Sequence, residues 1–130
     1  TDVKQLLSEL QPVIIENASN SIVKQALTFI RIAGGRTSIA DLAVSVKLSE
    51  RQLNRLFLAH VGLPPKTYAS IIQFHRALRL LKDHGLKATE VAYEAGYSDQ
   101  SHMIRRFQRF GGFSPVAIPR DISLPGFSAI

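Results

Sequence analysis

One stretch of this sequence occurs twice, and the repeat limits the fold more than any other feature. At an offset of about 50 residues, Leu42-Ala43 pairs with Val91-Ala92, Leu48-Ser49 with Tyr97-Ser98, Leu53 with Met103, Arg55 with Arg105 and Phe57 with Phe107. Gly62 pairs with Gly112 and Pro65 with Pro115, and the second copy carries one extra residue just after its Ser. Each copy reads as a short helix, a tight turn, a Ser cap and a longer basic helix. That is the layout of a hairpin whose second helix enters a DNA major groove.

Helix signals fill the rest of the chain. Val3, Leu6, Leu7 and Leu10 fall at i, i+3, i+4 and i+7 and predict an amphipathic helix ended or kinked by Pro12. Ile22, Ala26, Phe29, Ile30 and Ala33 mark a second helix stopped by Gly34-Gly35. Ser38 starts a helix to about Val46, with Asp41 three residues on, and Ser49 with Gln52 forms a capping box for a helix to about His60. Pro64-Pro65 opens a longer helix to about His84, closed by Gly85. Two more are predicted, over about Ala88 to Ala95 and Asp99 to Phe110, with Ser114-Pro115 starting a further turn and an irregular tail beyond Pro119. No strand-like alternation of useful length occurs, so the expected fold is all-α, with two helix-turn-helix subdomains joined by a long linker helix.

The expected organisation is a connecting segment over residues 1–21, a first subdomain over 22–63, a linker helix over 64–85, a second subdomain over 86–118 and a tail over 119–130. About 20 linker residues span roughly 30 Å, close to the ~34 Å between successive major grooves on one DNA face. The linker's length is therefore expected to set the separation of the two units.

Charge points to the partner. The 130 residues carry 16 Lys plus Arg against 10 Asp plus Glu, a net charge of +6 with His neutral. That excess favours a polyanion, with nucleic acid ahead of an anionic membrane. The absence of Cys excludes disulfides, thiolate zinc sites and a Cys nucleophile. No apolar run reaches the ~18 residues of a membrane span, and the start has no signal-peptide pattern. The first residue is Thr1, without an initiator Met, so the chain is expected to be processed or cut from a longer protein.

The faces of the two basic helices supply the candidate contacts. In the first, Leu53, Leu56 and Phe57 form the inward side, while Arg51, Asn54, Arg55 and Leu58 share another. In the second, Met103, Phe107 and Phe110 face inward; His102, Arg105, Arg106 and Arg109 form the outer stripe, flanked by Gln100 and Ile104. Arg reaches guanine, Asn or Gln reaches adenine, and an apolar group meets the thymine methyl. Arg51, Asn54, Arg55, Gln100, His102, Ile104 and Arg105 are therefore candidate base or phosphate contacts. Arg106 and Arg109 are candidate phosphate clamps, and Ser49, Ser98 and Ser101, with Gln52 in the capping box, sit where helix N-termini meet phosphate.

These residues resemble the DNA-binding domain of the AraC/XylS family of bacterial transcription regulators. The matching pieces are Ser38 to Ala43, Leu48 to Phe57, Gly62 to Tyr68, Arg76-Ala77, Leu80-Leu81 and Val91 to His102, then Arg105, Phe107, Gly112 and Ser114-Pro115. The run Gly96-Tyr97-Ser98-Asp99-Gln100-Ser101-His102 is the most specific. The resemblance implies a cytoplasmic regulator whose two recognition helices enter adjacent major grooves of double-stranded promoter DNA, often with contact to RNA polymerase. It also implies a missing N-terminal domain carrying effector or dimer contacts. Departures are Lys47 where the first turn usually has Gly, Leu58 for a basic residue, Met103 for Phe, Lys87-Ala88 for a polar cap and large aliphatic, and Ile118-Pro119 for Tyr-Arg. Lys47 must either take a positive φ or change the turn.

An enzyme is not expected. His60, His75, His84 and His102 have no metal-type spacing with acidic partners, and no phosphate loop or nucleophile elbow is present. No cofactor, metal or membrane partner is expected. The rival reading is a helical protein-interaction module that kept the fold and lost DNA binding, which Leu58 and the altered C-terminal end favour. DNA binding weakens steeply with salt, whereas a mostly apolar interface does not.

Overall fold

The computed structural model describes residues 20–118, which form α1 (Ser21–Ile32), α2 (Ile39–Ser45), α3 (Glu50–His60), α4 (Pro65–Asp83), α5 (Ala88–Glu94) and α6 (Gln100–Gly111). No strand occurs among the described residues, whose fold is all-α. The predicted helix around Val3 to Leu10 and the tail from Pro119 lie outside the described residues.

Local chemistry accounts for the boundaries. Asn20 Oδ1 accepts from the backbone N–H groups of Ile22 and Val23 at 2.9 and 3.2 Å and starts α1. Ser38 Oγ accepts from Asp41 N–H at 3.0 Å and starts α2. At α3 the capping box is complete: Ser49 Oγ accepts from Gln52 N–H at 3.1 Å, and Gln52 Oε1 accepts from Ser49 N–H at 2.9 Å. Each bond satisfies a backbone donor that the first helical turn leaves unpaired. Pro65 occupies the first position of α4, where no N–H is needed. Lys87 begins α5 without a side-chain cap, as expected from the substitution there.

Periodicity identifies the inward faces of the two basic helices. Leu53 and Phe57 of α3 and Met103, Phe107 and Phe110 of α6 are buried. In α1 the buried side is Val23, Ala26, Leu27 and Ile30, whereas Phe29 is 43 % exposed and does not belong to the core face. Phe29 precedes Ile30 and lies about 100° from it around the helix, off the buried stripe.

The central helix α4 contacts α1, α3, α5 and α6. Nine of its residues are buried, from Pro65 through Leu78, which is why its apolar positions overfill one narrow stripe. Tyr68 meets Phe57 of α3 edge-on, with centroids 6.3 Å apart. Phe74 meets Phe107 of α6 at 4.8 Å and 78°, and also lies near Phe110 and Phe113. Gln73 Nε2 donates to the Ala95 carbonyl at 2.9 Å and ties α4 to the end of α5. Gly35 has φ +78; a Cβ there would overlap the Ala69 carbonyl oxygen and lie 2.7 Å from Gln73 N, so only glycine lets the chain after α1 lie against α4.

The aromatic anchors of the two units lie close together on α4. Tyr68 and Phe74 are six positions apart, only about 9 Å of helical rise on a helix about 28 Å long. Both aromatic contacts lie in the first two thirds of α4.

Candidate nucleic-acid interface

The buried sides of α3 and α6 leave their opposite sides to solvent. On α3, Ser49, Arg51, Gln52, Asn54 and Arg55 are exposed, and Leu58 is 55 % exposed. On α6, Gln100, Ser101, Ile104, Arg105 and Arg109 are exposed, with His102 and Arg106 half-buried. The exposed Ser98 precedes that helix. The structure therefore brings the second group onto one helix and its leading turn, and the first onto another.

The two helix starts differ. In the second unit the cap is the extra residue of the repeat: Asp99 Oδ1 accepts from His102 N–H at 2.7 Å. Ser98, the counterpart of Ser49 in the repeat, is thereby released from capping. Its backbone N–H donates to His102 Nδ1 at 3.3 Å, and its Oγ lies 3.1 Å from the same nitrogen. The Tyr97 ring stands edge-on to the imidazole, with centroids 5.2 Å apart and planes at 89°. Burial, then the Arg106 and Arg105 guanidinium groups, hold the His102 pKa below its ordinary value, with Asp99 opposing.

Ser98, His102, Arg105, Arg106 and Arg109 line a shallow cleft of about 420 Å³. The Arg109 guanidinium carbon stands 5.1 Å from the centroid of the Phe110 ring, a contact that limits its freedom before any ligand arrives. No group of three or more His, Asp or Glu residues positioned for a metal ion occurs among the described residues. No described helix is long and apolar enough to cross a membrane.

Two turns connect the units' helices in the same way. Lys47 N–H donates to Val44 O and Leu48 N–H to Ala43 O, as Gly96 N–H donates to Tyr93 O and Tyr97 N–H to Ala92 O. Lys47 keeps the turn by taking φ 60, against φ 84 at Gly96. The Arg36 side chain lies over Gly96, placing a Cβ at that position 2.6 Å from Arg36 Cδ. This contact and the roles of Asp99 and Tyr97 were not among the expectations from sequence. The extra residue after Ser98 was the available signal for Asp99; nothing local signals Arg36, which is 60 positions from its neighbour.

Two tandem helix-turn-helix units, each with a buried apolar side and an exposed basic side on its second helix, define a DNA-binding domain. A family model described as a helix-turn-helix domain matches residues 42–120, and the chain belongs to this AraC-type family of transcription regulators. It is 37% identical over 86 residues to the HTH-type transcriptional regulator YidL of Escherichia coli, covering 66% of this chain and 29% of that protein. It is 30% identical over 106 residues to the HTH-type transcriptional regulator GbdR of Pseudomonas aeruginosa, covering 69% and 29%. It is 33% identical over 81 residues to the HTH-type transcriptional activator RhaS of Escherichia coli, covering 62% and 28%. The chain thus spans under a third of the length of these curated relatives. Its fold is similar to the C-terminal domain of AraT, a response regulator from Geobacillus stearothermophilus, with a TM-score of 0.70 at 21% identity over 80% of this chain and 93% of that one.

Proposed function

We propose that this chain recognises promoter DNA sequence-specifically by inserting α3 and α6 into adjacent major grooves. The observation that carries this reading is the pairing of two repeat-related helices, each buried on its apolar side and carrying exposed or half-buried Arg, Asn, Gln and His side chains on the other. Arg51, Asn54 and Arg55 then reach bases from α3, and Gln100, His102, Ile104 and Arg105 from α6. Arg106 and Arg109 hold phosphates, and Ser49, Gln52 and Ser101 lie at the helix starts where backbone N–H groups also face phosphate. In a longer protein this module follows an effector-binding or dimerising domain, and the bound complex contacts RNA polymerase.

The test uses a duplex selected from a random pool by the unaltered chain. Arg105→Ala is expected to weaken binding to that duplex by about 1–3 kcal/mol and relax preference at one or two positions. Arg109→Ala is expected to weaken binding to all sequences alike and flatten the salt slope by about one unit. Footprints should cover two successive grooves. If no duplex is enriched and both variants match the parent within about twofold, a protein-interaction module that has lost DNA binding replaces this reading.

A further inference from the structure

Resting on the reading that α6 enters a major groove, we propose that His102 is a donor-only reader of a guanine edge and that Ser98 is the positioning residue that keeps it so. A backbone N–H can only donate, so the 3.3 Å bond from Ser98 N–H requires His102 Nδ1 to carry no proton. The Ser98 hydroxyl, 3.1 Å from the same nitrogen, then donates to it as well. In the neutral ring the one remaining N–H is on Nε2. A second proton would have to enter between Nδ1 and an N–H that already points at it.

The surroundings reinforce this state. Asp99 Oδ1 holds the His102 backbone N–H at 2.7 Å, and the Tyr97 ring edge fixes the plane of the imidazole. Arg105 and Arg106 add cations that oppose a further positive charge. His102 is the third residue of α6, within the N-terminal part of a recognition helix that meets base edges. Beside it, Arg105 also offers donors alone. Guanine is the base that presents two acceptors, N7 and O6, and no donor in the major groove; adenine and cytosine each present an amino group that such a pair cannot satisfy, and thymine offers one acceptor, O4, beside a methyl group, enough for only one of the two side chains. The repeat's first unit has no counterpart, because Ser49 is committed to its own capping box.

Two measurements test this. In the free chain near neutral pH, nitrogen NMR should show His102 Nδ1 unprotonated and Nε2 protonated. Ser98→Thr should keep that signature, and Ser98→Ala, which retains the backbone N–H but loses the hydroxyl that donates to the neutral ring, should keep Nδ1 unprotonated near neutral pH while the ring titrates at higher pH than in the parent. On the selected duplex, 7-deazaguanine is placed at each guanine in turn. One position should cost the parent about tenfold and cost His102→Ala less than about twofold. His102→Gln, which can also accept, should shift preference at that position from guanine towards adenine. A protonated Nδ1, or an equal 7-deazaguanine penalty in parent and His102→Ala at every position, overturns the proposal. If Arg105→Ala weakens binding while that penalty is equal, the groove reading stands and the role of His102 falls. If neither His102→Ala nor Arg105→Ala changes affinity, the groove reading itself falls.

Discussion

Exchanging the residues at the two equivalent turns should move stability in opposite directions. Lys47 adopts φ 60, where an L side chain costs about 1–2 kcal/mol relative to the right-handed region. Lys47→Gly removes that cost but gives the unfolded chain more freedom, worth about 0.5–1 kcal/mol. The exposed Lys47 side chain leaves no cavity, so the net expectation is stabilisation by about 0.5–1 kcal/mol. Gly96 has φ 84, so Gly96→Ala introduces a disfavoured Cβ there and displaces the exposed, flexible Arg36 side chain. The expectation there is destabilisation by about 1–3 kcal/mol. Urea unfolding followed by far-UV circular dichroism measures both. With a slope of about 1–3 kcal/mol per molar urea, the midpoint should rise by several tenths molar for Lys47→Gly and fall by more for Gly96→Ala. Lys47→Ala keeps the Cβ and should stay near the parent. A lower midpoint for Lys47→Gly at unchanged slope would refute the assignment of strain to this turn.

Three further outcomes are expected. Burial, and secondarily Arg79, lower the His75 pKa to about 4, with Asp83 opposing; because the unfolded ring takes its proton near 6.5, this contribution is complete above pH 6.5 and falls by up to about 3 kcal/mol as pH drops through 4. His75→Gln should flatten stability between pH 6.5 and 4, and an unchanged profile would place the acid sensitivity elsewhere. Phe74→Ala removes a buried ring that touches Phe107, Phe110 and Phe113, and should cost about 3–5 kcal/mol in urea unfolding, with hydrogen exchange rising first in α6; a loss below about 1 kcal/mol would contradict its anchoring role. Two Ala inserted after Ser70 turn Phe74 by about 200° relative to Tyr68 and should abolish both the cooperative fold and specific binding, whereas two Ala after His84 should leave specific affinity within about tenfold; equal effects would mean that α4 is not anchored where Tyr68 and Phe74 place it.

Short-range chemistry made much of this protein legible from its residues alone. Ser38, Ser49 with Gln52, Pro65 and the glycines after each helix act on donors and acceptors within about four positions, so their effects need no knowledge of distant chain. Helical period likewise identified Leu53, Phe57, Met103, Phe107 and Phe110 as inward, and left the Arg-bearing sides of α3 and α6 outward. The repeat anticipated two equivalent units, and the family followed from the same residues. Period marked the helix that carries Phe29 but not the exposure of that ring, since a pattern on one helix does not say which neighbours cover it. Asp99 took the cap expected at Ser98 because the inserted residue shifts which side chain meets the first free N–H, and that choice set the state of His102. The burial of His75, the closeness of the Tyr68 and Phe74 anchors and the passage of Arg36 over Gly96 were decided only when α1, α3, α5 and α6 closed around α4. Each depends on chain segments brought together from far apart in sequence, and no local preference of the residues involved encodes such a meeting.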